Sequence, residues 1–408
     1  MCVLASALAA EGHAVTLAAP PGMRAMSEAA RLRFVPLAHD AEAMIKELSG
    51  AIVRGTGPVR RVAPRAFRTV IDSQLEVLPA LARDSDFVLA GGMHLGVPTV
   101  AEHCGVPWRW VLYSLTMLPS DARPPIVLPF ANAPRWVNRL AWRYMNSYVN
   151  QHLLGPLNEH RARLGLPLLE EVTEHLRCEN PIIAIDPELA PLEPEESVLD
   201  VIGHLDPGRG DPLPPPLEYF LRAGPPPIYI GFGSMPDPAA DATTRLFEEA
   251  CERSGCRLVL SRGWAGFGAG LANRHIVVDS VSHGRLFPRL AGVVHHGGAG
   301  TTSAALRAGV PQLVVPHFAD QFHFGGLVEQ LGTGPSPLRR TRLTVRALSG
   351  RLDQLLGDES LRERARRLAE RIDKRPRLTN VSRLLRAPKP VRTSAFKPRS
   401  LEPERAGV

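Results

Sequence analysis

The chain has 408 residues, 44% of them hydrophobic, with a formal net charge of +7. That is enough apolar sequence for two cores of ordinary size, and no apolar run reaches the roughly eighteen residues needed to cross a bilayer. Five cysteines, Cys2, Cys104, Cys178, Cys251 and Cys256, are odd in number and scattered, which argues against a disulfide framework or a zinc site and suits a reducing cytoplasm. Residues 361–408 hold 15 Arg or Lys against five Asp or Glu, so the positive charge belongs to the tail and the rest of the chain is slightly acidic. Charge alone gives no ground for a nucleic-acid groove.

The first residues lack the basic start of a signal peptide and read as a helix closed by Gly12, with His13 in the following turn. Strands are predicted at Ala14–Ala19, Arg33–Leu37, Phe87–Ala90 and Trp108–Tyr113, separated by segments long enough for helices. That alternation predicts a doubly wound parallel sheet for residues 1–185. Within it, His94 follows a strand in the sequence GGMH, and Trp136, Trp142, Tyr144 and Tyr148 fall in one helical stretch, where they suit either core packing or the floor of an apolar site. Prolines recur through residues 186–227, as expected of an extended linker. A second alternation spans residues 228–375, with strands predicted at Ile228–Gly231, Arg257–Leu260, His275–Val278, Ala291–Val294 and Gln312–Val315. Residues 376–408, rich in Pro, Arg and Ser, are expected to be disordered, either a solvated appendage or a segment that touches anionic lipid.

The most informative stretch is Ala291–Gly334. A short apolar strand runs into Gly297, Gly298 and Gly300, and Thr301 and Thr302 open a helix that closes at Gly309. Glycines let backbone amides approach a ligand, and a helix that starts at such a turn offers unpaired N–H groups and a positive dipole end to a diphosphate. There is no GxxxxGK[ST], and neither Gly231-Phe-Gly233 nor Gly298-Ala-Gly300 continues into a dinucleotide fingerprint. ATPase and dehydrogenase readings therefore lose their footing. No carboxylate cluster or Cys/His ligand set suggests a metal, and no cofactor is expected.

HHGGAGTT followed by GVPQLVVPHFADQ and G-x-G resembles the donor-sugar signature of the GT-B nucleotide-sugar glycosyltransferases, in the branch of sterol glucosyltransferases and antibiotic glycosyltransferases. IYIGFGSM at 228–235, IIAIDPELAPL at 182–192, EGHAVTLA at 11–18 and AEHCGVP at 101–107 extend the resemblance over residues 1 to about 370. It implies two Rossmann-like domains facing a cleft, an N-terminal one for the acceptor and a C-terminal one for the nucleotide-sugar. It also implies that His296, Ser234, Thr301 and the amides around Gly298 and Gly300 hold the diphosphate. Asp320 and Gln321 would hold the sugar hydroxyls, and Val281 and Trp264 would line the base pocket. His295 is expected to end its strand facing the core.

Relatives begin with a strand and a glycine-rich loop that carries the general base, and Met1 aligns just after that loop. The first strand and the base are therefore expected to be missing here, whether the start lies upstream or the chain is truncated. His94 is a weak substitute candidate for the base, and its turn chemistry explains it as well. The expected function is inverting transfer of a hexose from a UDP- or dTDP-sugar to a hydroxyl of a lipophilic small molecule. The alternative is a catalytically impaired auxiliary protein that binds nucleotide-sugar; a nucleotide-sugar epimerase on the same fold is disfavoured by the motif wording.

Overall fold

The computed structural model describes residues 1–54, 56–208, 210–374 and 380–386. In chain order the first part comprises α1 (Cys2–Ala10), β1 (Thr16–Ala19), α2 (Arg24–Ala29), β2 (Arg33–Pro36), α3 (Ala41–Arg54), α4 (Thr56–Arg83), β3 (Val88–Gly91), α5 (Val97–Cys104), β4 (Trp108–Leu112), α6 (Arg135–Arg163), α7 (Val172–His175), β5 (Ile182–Ile183) and β6 (Asp200–Val201). The second part comprises α8 (Pro215–Arg222), β7 (Ile228–Gly231), α9 (Ala240–Arg253), β8 (Leu258–Ser261), β9 (Ile276–Val278), α10 (His283–Leu286), β10 (Gly292–His295), α11 (Ala299–Arg307), β11 (Gln312–Val314), α12 (Gln321–Gln330), α13 (Val345–Gly357) and α14 (Glu359–Asp373). Every predicted strand is present, shifted by no more than two residues at either end. β5 and β6, only two residues long each, carried no periodic signal.

All pairings are parallel. The second domain has one five-stranded sheet in the order β11-β10-β7-β8-β9. Strands β7, β8 and β9 run outward in one direction, and the chain then returns to lay β10 on the other side of β7. The carboxyl ends of β7 and β10 therefore form a topological switch point, where loops diverge and leave a crevice.

The first domain departs from the single sheet expected. β1 and β2 pair with each other, and β3-β4-β5-β6 form a separate four-stranded sheet. Helix α1 lies across the break: Leu4 and Leu8 are buried with Val111, Ile182 and Ala184, and Val15 and Leu89 flank them from the two sheets. Gly12, at φ +93°, ends the helix as anticipated.

Two features of the stretch read as a linker belong to domains. β6 completes the first sheet, and Pro215 opens α8, a position where the missing proline N–H is no loss. The tail also returns further than expected. A 3-10 turn at Val381–Leu385 packs on α1, where the Glu11 carboxylate accepts the Val381 and Ser382 amides at 2.8 Å each. Buried Arg109 on β4 then joins distant pieces, donating to Asn180 O at 2.7 Å, Leu384 O at 3.2 Å and the Asp200 carboxylate at 2.7 Å. The basic stretch beyond residue 386 lies outside the described residues.

The domains share a core. Trp110, Leu112, Leu115, Ile183, Ile185 and Leu189 of the first pack with Leu306, Phe324, Leu327, Leu368 and Ile372 of the second. Beside it Asp186, 1% exposed, accepts two bonds from Arg307 at 2.7 and 3.0 Å and one from the His204 amide at 3.2 Å. Removing one member of such a pair strands the other in a poorly hydrated place. Asp186→Ala is expected to cost about 2–3 kcal/mol, less than for a fully buried pair because Arg307 retains some solvent. A lowered urea midpoint, followed by intrinsic fluorescence, is the measurement.

Candidate donor site at the switch point

The crevice is built by the loops that leave β7 and β10. β10 ends at His295, which is wholly buried. Its Nδ1 accepts the Gly297 amide at 3.0 Å, so its other nitrogen carries the proton and donates to Gln312 Oε1 at 2.8 Å. Gln312 on β11 donates in turn to Thr302 O at 3.4 Å in α11. The turn is thus tied to both the neighbouring strand and the helix it opens. Gly297 must be glycine: its φ is +94°, and a Cβ would lie 2.6 Å from Val314 and 2.9 Å from Gln321 O.

Beyond that anchor, His296 swings into the crevice between two glycines. A Cβ on Gly298 would stand 2.5 Å from His296 Nε2, and one on Gly233 would stand 3.4 Å from its Cε1. His296 Nδ1 is buried with no hydrogen-bond partner. An inaccessible polar atom left unpaired at the mouth of a glycine turn is the mark of a site that a polar ligand completes. Burial lowers its pKa to about 4, so at neutral pH the ring is uncharged and offers one donor and one acceptor.

Helix α11 starts at Gly298, which has extended backbone and no side-chain cap. Its first amides therefore point into the crevice unpaired, with the positive end of the helix behind them. Gly300 has open space where a Cβ would be. The half-buried Thr301 stands in the same turn, whereas Thr302 is buried and donates back to Gly298 O at 2.9 Å. Facing them, the β7 loop carries Gly233 at φ +56° and then Ser234. The Gly233 carbonyl accepts the Trp264 amide at 3.0 Å, which locks the β8 loop alongside. Trp264, 39% exposed, keeps a face free, and Lys46 of the first domain stands 5.9 Å from its ring centre. Val281 lies past β9, half-buried beside Leu286 and Phe287. His283 stacks on Phe287 at 4.3 Å.

Asp320 and Gln321 follow β11 on the same sheet edge. Asp320 is half-buried, and burial raises its carboxyl to about 6. Gln321 differs from expectation. It is 4% exposed, its carbonyl accepts the His317 and Phe318 amides at 2.8 and 3.1 Å, and its amide reaches Met235 Sδ at 3.4 Å. Its carbonyl thus closes a turn that passes through Ala319 at φ +56°, and its amide nitrogen keeps a second N–H besides the one toward Met235.

Further expectations are corrected. His94 is 5% exposed, lies 4.1 Å from the Trp110 ring and sets both nitrogens against carbonyls, Leu176 O at 3.2 Å and Gly92 O at 3.4 Å. A base needs an accessible lone pair, so His94 serves packing. Trp136 and Tyr144 are about three-fifths exposed, at 60% and 59%, rather than packed in a core, while Trp142 donates to Arg123 O and Tyr148 packs on His152. Sequence reasoning missed His317, which packs on Phe232 beneath the site with its pKa lowered by burial to about 3. Among the described residues one group of metal-ligand types converges, Glu248, Glu252 and His275. It sits at the opposite edge of the sheet, and His275 Nδ1 already accepts the Leu258 amide at 3.1 Å.

The family described as erythromycin biosynthesis protein CIII-like, C-terminal domain, matches residues 269–387, which hold the glycine turn and α11. The vancomycin aglycone glucosyltransferase of Amycolatopsis orientalis is 36% identical over 332 residues, 79% of this chain and 78% of that protein. The chain belongs to this glycosyltransferase family. A sterol 3-beta-glucosyltransferase of Arabidopsis thaliana is 28% identical over 377 residues, 85% of this chain and 59% of that protein. The crystal structure of the glycosyltransferase VinC in complex with dTDP shares the GT-B fold, with a TM-score of 0.65, 22% identity and 94% of each chain covered.

Two outcomes follow for this glycosyltransferase. His296→Ala and Gly298→Ala are each expected to weaken nucleoside diphosphate binding by roughly ten- to thirtyfold in calorimetry, about the value of one or two good hydrogen bonds. Acid also destabilises the fold. His295, His296 and His317 have folded pKa values of about 3, 4 and 3, below the unfolded value, so the unfolded chain takes up protons first. The stabilisation is complete above about pH 6.5 and is lost as pH falls toward those values, by up to about 1.4 kcal/mol per pH unit for each ring. Tm by calorimetry is expected to drop steadily between about pH 6.5 and 4.5.

Proposed function

We propose that the chain is an inverting hexosyltransferase that moves a sugar from a UDP- or dTDP-sugar to a hydroxyl of a lipophilic natural product or sterol. The observation that carries the reading is the unpartnered His296 Nδ1 set beside the open amides of α11 and opposite Ser234. A diphosphate seated there would accept from those amides, from the Thr301 and Ser234 hydroxyls and from the protonated nitrogen of His296. Fixed donors and the helix dipole would stabilise the charge that grows on the leaving diphosphate, a task that needs no bound metal. Asp320, which keeps most of its charge at neutral pH, would accept from sugar hydroxyls. An acceptor hydroxyl would attack the anomeric carbon from the opposite side, in line with the departing oxygen.

The acceptor class follows relatives named for a glycopeptide aglycone and a sterol. The test offers UDP-glucose and dTDP-glucose with a panel of lipophilic alcohols and reads the product's anomeric coupling by NMR. A β-product from an α-donor, formed in the presence of EDTA and reduced roughly hundredfold by His296→Ala, is the expected result. Nucleotide binding with no product would leave the chain as a donor-binding auxiliary protein.

A further inference from the structure

Helix α6 is 29 residues long, yet its fully buried residues are Asn138, Leu153, Leu157 and Arg161. Its second half supplies Leu153 and Leu157 to a core shared with α4 and α7, while its first half is held to the preceding loop by Asn138 and Trp142 and leaves one face free. On that face Trp136, Leu140 and Tyr144, spaced four apart, are 60%, 54% and 59% exposed. Residues at this spacing share one helix face, here about 12 Å long. Arg139 and Arg143 stand on the same face, both exposed, and neither makes an ion pair among the described residues. Arg135 is engaged by Asp121 and Glu193. No Asp or Glu occurs from Arg135 to Asn158.

We propose that this face of α6 is a docking surface for an anionic lipid bilayer. A convex ridge of three large side chains cannot enclose a small molecule, whose sites are concave and bury most of the ligand. It does match a planar interface. Trp and Tyr seat their rings at the headgroup level with their polar atoms in water, Leu140 enters the acyl boundary, and the two arginines meet lipid phosphates. Arg139 and Arg143, on a helix stretch that carries no carboxylate of its own, supply the charge complementarity, worth about a factor of five in partition for each arginine near the surface. Docked in this way, the enzyme would stand beside the phase into which lipophilic alcohols partition. The surface itself is argued from α6 alone, independently of the transfer reaction.

The test is co-sedimentation of the full chain with phosphatidylcholine vesicles, with and without about one-third phosphatidylglycerol. Wild type is expected to pellet with the anionic vesicles, to bind the neutral ones weakly and to be released by salt. Trp136→Ala with Tyr144→Ala, and separately Arg139→Gln with Arg143→Gln, should each lower the partition coefficient roughly tenfold or more. All four positions are exposed, so an unchanged Tm and unchanged nucleoside diphosphate binding verify that the variants fold. The proposal is overturned if wild type fails to pellet, if either double variant pellets like wild type, which would place the contact elsewhere in the chain, or if neutral and anionic vesicles bind equally.

Discussion

A buried, uncharged imidazole holds the donor site in shape. His295 accepts a hydrogen bond from the Gly297 amide and donates one to Gln312, which donates in turn to Thr302 O in α11. Each of these groups is buried, where an unpaired partner costs about 1–3 kcal/mol, so the three elements can hold only one arrangement. In it the strand ends, the backbone reverses through a left-handed glycine, and the helix begins with its first amides facing the crevice. Because β10 lies beside β7 at the switch point, the loop bearing Ser234 arrives on the other side of the same space.

Helix α11 then serves two purposes along its length. Its amino end is the uncapped turn proposed to hold an anion, and its last turn carries Leu306 into the core shared by the domains and Arg307 to Asp186. Both ends suit the helix dipole, which favours an anion at the start and a cation at the finish. Binding at one end of a rigid nine-residue rod is therefore mechanically continuous with the domain contact at the other. The cross-cleft approach of Lys46 to Trp264 and the bond from Arg339 to Pro129 O at 3.0 Å add further meetings of the domains.

The histidines around this site show how one residue type is put to different uses by burial. His295 supports the turn, His296 faces the ligand space, and His317 packs on Phe232, all kept neutral by the cost of placing charge in a dry interior. The adjacent pair His295 and His296 diverges because successive residues leaving a strand point to opposite sides. That alternation was readable from the sequence once β10 was placed. The different fates of Thr301 and Thr302 depend on the helix phase, and no motif announces that the Gln321 carbonyl closes a local turn.

The sequence by itself determined strands β1 to β4 and β7 to β11, the glycine turn and the helix it opens, since these rest on local periodicity and on backbone freedom within a few residues. It also carried the family, because residues 291–334 hold most of the donor signature in one continuous stretch. Only the tertiary structure decided which of those side chains face the crevice and which are engaged by neighbours, as the His317 and Phe318 amides on the Gln321 carbonyl illustrate. It also decided the split of the first sheet, the Asp186–Arg307 and Arg109–Leu384 contacts, and the outward turn of Trp136 and Tyr144. These join residues far apart in the chain or depend on which helix face finds a partner, and spacing along the sequence carries no record of that.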